Sequence, residues 1–241
     1  VQRLLTDITD VGYFPPNLES VTALQPDLII AGSYLESIDQ LKAIAPTVVL
    51  DFESTVAWKN VVRLTGELFG LSEFTDALFA EYEARIDSLN ELVGDPANIE
   101  VSIVRLQEDS VNLMLGVFSS TIIEDAGFSR PTSQAYSAAE AAEIYGNSLS
   151  ATISLENLQL ADADYIFVWG AFYLDEVNTF ADGILENPLW QSLEAVQSNR
   201  AYRVGEHWIG RGFYGAHMVI DDLFVHVAEV DPAEVAPNPF K

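Results

Sequence analysis

The sequence contains no cysteine, which excludes disulfides, thiolate metal sites and cysteine nucleophiles. It is also poor in positive charge: 11 Lys and Arg stand against 37 Asp and Glu, a net charge of −26 over 241 residues. No basic stripe is left to displace the counterions of a phosphate backbone, so nucleic acid is excluded as a partner, and an anionic lipid surface is disfavoured for the same reason. The acid excess reads first as a solubilised surface. An anionic ligand would need arginines close to it, because more distant charges are screened beyond ~10 Å. Long apolar runs are missing too: none approaches the ~18 residues of a membrane-spanning helix. No secretory signal pattern opens the chain.

Histidine is scarce, with three in all. His217 and His226 fall on one predicted helix, and steps of ~100° per residue put them on opposite faces. They cannot share a metal, and His207 has no neighbouring cluster, so no zinc site is expected. No G-x-S-x-G turn is present for a hydrolase nucleophile. Gly210, Gly212 and Gly215 spell G-x-G-x-x-G, but Trp208 and Ile209 separate them from the preceding strand and no further βαβ unit follows. A dinucleotide site is therefore discounted. Paired acids are too common here to signal glycosidase chemistry. Asp221 and Asp222 are read as solvated or capping residues.

Apolar residues make up 49% of the chain, enough for one large domain or two modest ones. A weak internal repeat favours two. Residues 17–30 read NLESVTALQPDLII and residues 154–167 read SLENLQLADADYIF. Asn17 aligns with Ser154, Glu19 with Glu156, Asp27 with Asp164 and Ile29 with Ile166. Each copy offers an N-cap residue, a first-turn glutamate and an apolar strand led by Asp. A helix near 37–45 and a strand at 47–52 follow the first copy; a helix near 189–197 and a strand at 201–204 follow the second. Helices alternating with short apolar strands predict a parallel sheet in each half. Between the copies, Leu71, Phe74, Leu78, Tyr82, Ile86, Leu89 and Val93 recur at helical spacing until Gly94 and Pro96. That predicts a helix of ~32 Å. The expected plan is an α/β chain with an N-terminal lobe at 1–71, an interlobe helix at 72–94 and a C-terminal lobe at 95–241. Ligands collect at the carboxyl ends of strands in such sheets, so a site at the lobe junction is expected.

The phrase PPNLESVTALQPDLIIAG, with VSIVRL, SLENLQLADADYIFVW, NPLWQSLEAVQSNRAYRV and HWIGRGFYGAHMVIDDL after it, resembles class III periplasmic binding proteins. The later phrases are similar to the iron–siderophore branch, including its cyanobacterial members. The resemblance implies two lobes joined by a long bridging helix, with the first lobe lacking a strand–helix–strand unit ahead of Val1. It implies an extracytoplasmic protein, lipid-anchored or free. As the monomeric binding component of an ABC importer, such a protein delivers a ferric siderophore to membrane permease subunits and is not an enzyme. Some hydroxamate-binding relatives carry an arginine ahead of the Pro-Asn-Leu-Glu phrase, where this chain has Gly12, Tyr13 and Phe14.

A ferric siderophore surrounds its own iron with oxygens, so neither a protein metal ligand nor a cofactor is expected. The protein needs charged donors for bound oxygens and flat surfaces for the organic shell. Arg105 ends the strand VSIVR, and Arg211 lies in the glycine-rich WIGRGFYG. Trp208 and Tyr214 flank Arg211; Trp169, Phe172 and Tyr173 follow one strand and Tyr34 follows another. These are the predicted ligand contacts, with Tyr13 and Trp58 as weaker ones. Glu19 and Glu156 suit the helix dipole, and the resemblance adds a second role: one glutamate per lobe docking into arginine pockets of the permease. The rivals are the same fold holding haem, cobalamin or ferric citrate, a two-domain α/β enzyme, and a sensory or adhesive module.

Overall fold

The computed structural model describes residues 8–12, 14–50, 55–210, 212–235 and 237–240. Contacts divide the chain into two compact units, Val1–Glu53 and Ser54–Lys241. The first lobe was expected to run to residue 71, so the division falls earlier in the chain.

The first unit is a β–α–β turn preceded by a short helix. Asn17 caps α1 (Leu18–Ala23), its side-chain oxygen accepting from the Ser20 N–H at 2.9 Å. Strand β1 (Ile29–Gly32) leads through α2 (Ile38–Ile44) to β2 (Thr47–Leu50). The strands pair in parallel, Ile29 opposite Thr47 and Gly32 opposite Leu50. Val21, Ala31 and Leu41 form the buried core, with Leu18, Ile29 and Ile44 packed at its edge.

The second unit opens with α3 (Trp58–Leu68) and α4 (Ser72–Val93). Its sheet then follows: β3 (Val101–Leu106), β4 (Val111–Met114), β5 (Ser150–Ile153), β6 (Tyr165–Trp169) and β7 (Ala201–Arg203), in the spatial order β5-β4-β3-β6-β7. Strands β3, β6 and β7 run parallel, while β4 and β5 pair antiparallel. The sheet is thus mixed, and only part of the expected parallel pattern holds in this half. Strand alternation gives both faces an apolar layer. Ile103, Phe167 and Trp169 face one core with α4, α5 (Phe118–Asp125) and α10 (Phe213–His226). Val104, Leu106, Ile166 and Val168 face another, under Ala181 and Ile184 of α7 (Asp175–Leu185) and Trp190 of α8 (Pro188–Gln191). A strand covered on both sides needs a continuous apolar run, which is what YIFVW supplies. α6 (Ala138–Tyr145), capped by Ser137 and Glu140, and α9 (Glu194–Gln197) complete the unit.

The repeat is visible in three dimensions. The second copy folds as a 3-10 turn, Leu155–Ala161, and then β6, with α8 and α9 leading to the parallel strand β7. Ser154 occupies the predicted cap position but makes no side-chain cap bond.

Helix α4 ends at Gly94, whose φ of 84° suits glycine. Its buried residues are Thr75, Phe79, Tyr82, Arg85, Ile86 and Leu89, whereas Leu71 and Phe74 are exposed. The predicted helical period is right, but its phase slips in the first turns. The helix packs on α3 and α10 as an integral part of the second unit. A buried polar staple ties it to α10. Arg85 donates to Asp221 at 2.5 Å, to the His217 carbonyl at 3.1 Å, and lies 3.0 Å from His217 Nδ1. Asn238 donates to the other Asp221 oxygen at 3.0 Å. Asp221 is therefore a buried ion-pair partner, not the solvated residue expected.

Candidate functional site

The carboxyl ends of the parallel strands β3, β6 and β7 deliver Arg105, Trp169 with the turn after it, and Arg203. The parallel register sets Arg105 opposite Trp169, so both side chains emerge on one face. The Arg105 guanidinium lies 4.7 Å from the Trp169 ring centre, a cation–π contact. Arg105 has no carboxylate partner among the described residues. Partial burial lowers its pKa from the ordinary arginine value, yet a guanidinium stays charged at neutral pH. Trp169 is 3% exposed, and its indole N–H is buried with no hydrogen-bond partner among the described residues. A buried donor without an acceptor is costly. The strand exit therefore holds an uncommitted cation and an uncommitted N–H together.

After β6 the chain turns through Gly170. A Cβ there would lie 2.6 Å from the Leu106 carbonyl oxygen and 2.9 Å from the Phe172 ring, so glycine is required for the ring to fold back over the strand end. Phe172 in turn carries the Arg203 guanidinium at 4.2 Å. Arg203 donates to Asp182 at 2.9 Å and to Asn178 at 2.7 Å on α7. Sequence reasoning missed Arg203, although it ends a strand as Arg105 does. Tyr173 is 72% exposed. Residues Arg105–Asp109, with Ala171, Leu174 and Val177, line a recess of about 340 Å³.

Trp208 corrects an expectation. It is fully buried, stacked on Phe167 at 4.4 Å, and donates its indole N–H to Asp222 at 2.7 Å. It is a core residue here and presents no surface to a ligand. Asp222 also lies 2.7 Å from His207 Nε2, so this carboxylate latches the turn Glu206–Ile209 onto α10. Beside that latch a recess of about 430 Å³ is lined by Glu206, His207, Gly210, Tyr214, Gly215 and Met218. Tyr214 is half exposed there. Arg211 and Tyr13 lie outside the described residues. Trp58 is buried in an aromatic cluster with Phe79, Tyr82, Phe118 and Phe213, its indole N–H donated to Thr121 at 2.9 Å.

In the first unit Tyr34 follows β1 and is half exposed. Gly32 stands two residues before it, and a Cβ there would lie 2.3 Å from the nearest carbon of the Tyr34 ring. Gly32-Ser33-Tyr34 thus repeats the device of Gly170-Ala171-Phe172. Glu19 in the first turn of α1 and Glu156 in the 3-10 turn are both exposed, at matched points of the repeat.

Among the described residues no group of His, Asp and Glu could hold a metal ion, and no helix is long and apolar enough to cross a membrane. The profile of the periplasmic binding protein family matches residues 6–207. The chain belongs to that family. Within the family it is 30% identical to the achromobactin-binding periplasmic protein of Dickeya dadantii, over 92% of this chain and 73% of that one. It is 29% identical to the probable siderophore-binding lipoprotein YfiY of Bacillus subtilis, over 86% of this chain, and spans 65% of that relative's length. Among solved structures of the family, Staphylococcus aureus SirA superposes with a TM-score of 0.81 at 25% identity, covering 95% of this chain and 86% of SirA.

Proposed function

We propose that this periplasmic binding protein is the substrate-binding component of an ABC importer and carries a ferric siderophore to its permease. The observation that carries this reading is Arg105. In a chain with more than three acids for every base, this arginine at a strand exit is held by an indole face and not by a carboxylate. Such a guanidinium offers paired donors to the iron-bound oxygens of an anionic chelate. The buried Trp169 indole backs the guanidinium and fixes its place at the strand end. The relatives' names, which speak of siderophore and achromobactin binding, point the same way. Phe172, Tyr173, Tyr34 and Tyr214 supply flat surface, and Arg211 a further cation. Haem, cobalamin and ferric citrate are the competing ligands on the same fold.

The protein acts by holding and releasing its cargo. The chelate brings its own iron coordination, so no cofactor is needed. The protein works outside the cytoplasmic membrane as a monomer, and exposed Glu19 and Glu156 dock on the two permease subunits. The chemistry of release belongs to other subunits of the transporter.

The test is a titration of the full chain with a panel of ferric siderophores, haem, cobalamin and ferric citrate, read by tryptophan fluorescence. A siderophore is expected to quench at sub-micromolar concentration. Arg105→Ala should weaken it by about 10- to 100-fold, the scale of ~1.5–3 kcal/mol for a charged hydrogen bond. Silence from every siderophore would end the reading, and unchanged affinity in the variant would remove Arg105 from the site.

A further inference from the structure

The first unit presents an aromatic surface with almost no positive charge. Phe14 is 63% exposed and Tyr34 54% exposed, with ring centres 6.0 Å apart. Gly32 leaves room for the Tyr34 ring against the end of β1, so the ring lies beside Phe14 with no ligand bound. Stacking on a ring already in place costs little ordering entropy. Phe14, Pro15, Leu35, Glu36, Ser37 and Gln40 line a recess of about 370 Å³ beside the pair. The Ser37 hydroxyl there is buried with no hydrogen-bond partner among the described residues. Lys42 is the sole cation among the described residues of this unit, and it pairs with Asp39 at 3.8 Å.

We infer that the Phe14–Tyr34 face receives an aryl ring, so that the cargo is a ferric chelate of catecholate or phenolate type. This rests on the siderophore reading above and narrows it to a class. In such a chelate the oxygens turn inward to the iron and the ring carbons form the outer rim. That rim is apolar and offers C–H edges and π faces, which match offset or edge-to-face packing on Phe14 and Tyr34. A chelate rimmed by free carboxylates, such as ferric citrate, would meet Glu36 and Asp39 at this face, where Lys42, paired with Asp39, is the one cation among the described residues of the unit. Its like charges would be repelled at close range.

The experiment titrates the full chain with ferric tricatecholate, ferric trihydroxamate and ferric citrate, following tryptophan fluorescence. The tricatecholate is expected to bind at least about tenfold more tightly than either ring-free chelate. Phe14→Leu with Tyr34→Leu should erase most of that advantage, about tenfold for two aromatic contacts, by weakening the tricatecholate more than the trihydroxamate. Gly32→Ala, which displaces the ring without removing it, should shift the ratio in the same direction and serves where the leucine pair fails to fold. A ring-free chelate that binds as tightly as the tricatecholate overturns the aryl assignment and leaves the siderophore reading standing. An unchanged ratio in a folded variant does the same. Failure of all three chelates overturns both.

Discussion

The exits of β1 and β6 are built to one plan and furnished differently. At each, a glycine lets an aromatic ring two residues later lie back over the strand end. At β6 the ring, Phe172, lies under Arg203, and Arg105 stacks on neighbouring Trp169. At β1 the ring, Tyr34, stands beside Phe14 with Lys42 as the unit's described cation. One end supplies charge and the other supplies flat carbon. The mechanical device recurs at the two strand ends, one residue later at β6 than the register of the repeat would place it, and carries different chemistry at each. The two units differ in support as well. The second is locked by a buried ion pair and two apolar layers, the first by a small core around Val21, Ala31 and Leu41.

The contrast can be broken most forcefully at the staple. Asp221→Ala removes a buried carboxylate that Arg85 and Asn238 both donate to and should cost about 3–5 kcal/mol. Urea unfolding would show the loss as a lower midpoint. The exposed Lys42–Asp39 pair of the first unit should be worth less than about 1 kcal/mol by the same assay.

The two glycines offer a sharper comparison. Gly170→Ala drives a methyl group into the Leu106 carbonyl, which is backbone and cannot swing aside. A loss of about 1–3 kcal/mol is expected from such overpacking. Gly32→Ala meets only the end of the Tyr34 side chain, which can turn away, so its stability cost should stay below about 1 kcal/mol. Thermal melts of both variants check the difference, and equal losses would mean that the two seats are not alike.

The staple also predicts a pH dependence confined to the second unit. Burial, aided by Arg85, lowers the His217 pKa from 6.5 to about 4, with Asp221 opposing. The folded state therefore holds His217 neutral while the unfolded chain takes up a proton below about pH 6.5. Stability from this group is intact above that value and is lost as pH falls toward 4. Between pH 7.5 and 5 the loss is about 2 kcal/mol. His217→Leu should lack it, and comparing urea midpoints of the two proteins at both pH values isolates the effect from the many surface carboxylates.

Much of this was readable in the sequence because it rests on periodicity and punctuation. The repeat located β1, β2, β6 and β7, and Gly94 marked the end of α4. The phase of α4 was not readable at its start. Phe74 and Leu71 look as apolar as Phe79, and only the packing of α10 decides which face is covered. Strands β4 and β5 were missed because VNLM and SATI are too short to show a period. The strand-exit rule put Arg105, Phe172 and Tyr34 at or just past strand ends, where the fold has them, and would have put Arg203 at one as well. The same rule misplaced Trp208, because an indole that ends a core and one that lines a pocket have the same sequence signature. Asp221 and Asp222 were hidden by abundance: among 37 acids nothing marks the ones that fold inward.

The glycine seats also bear on how such a protein could change its taste. The mount is main chain, fixed by strand pairing, whereas the fitting on it is a single side chain. Exchanging the residue at 34, or the cation over 172, would retool what the surface prefers while the scaffold stayed as it was. A lineage could then follow a shifting supply of chelates one substitution at a time.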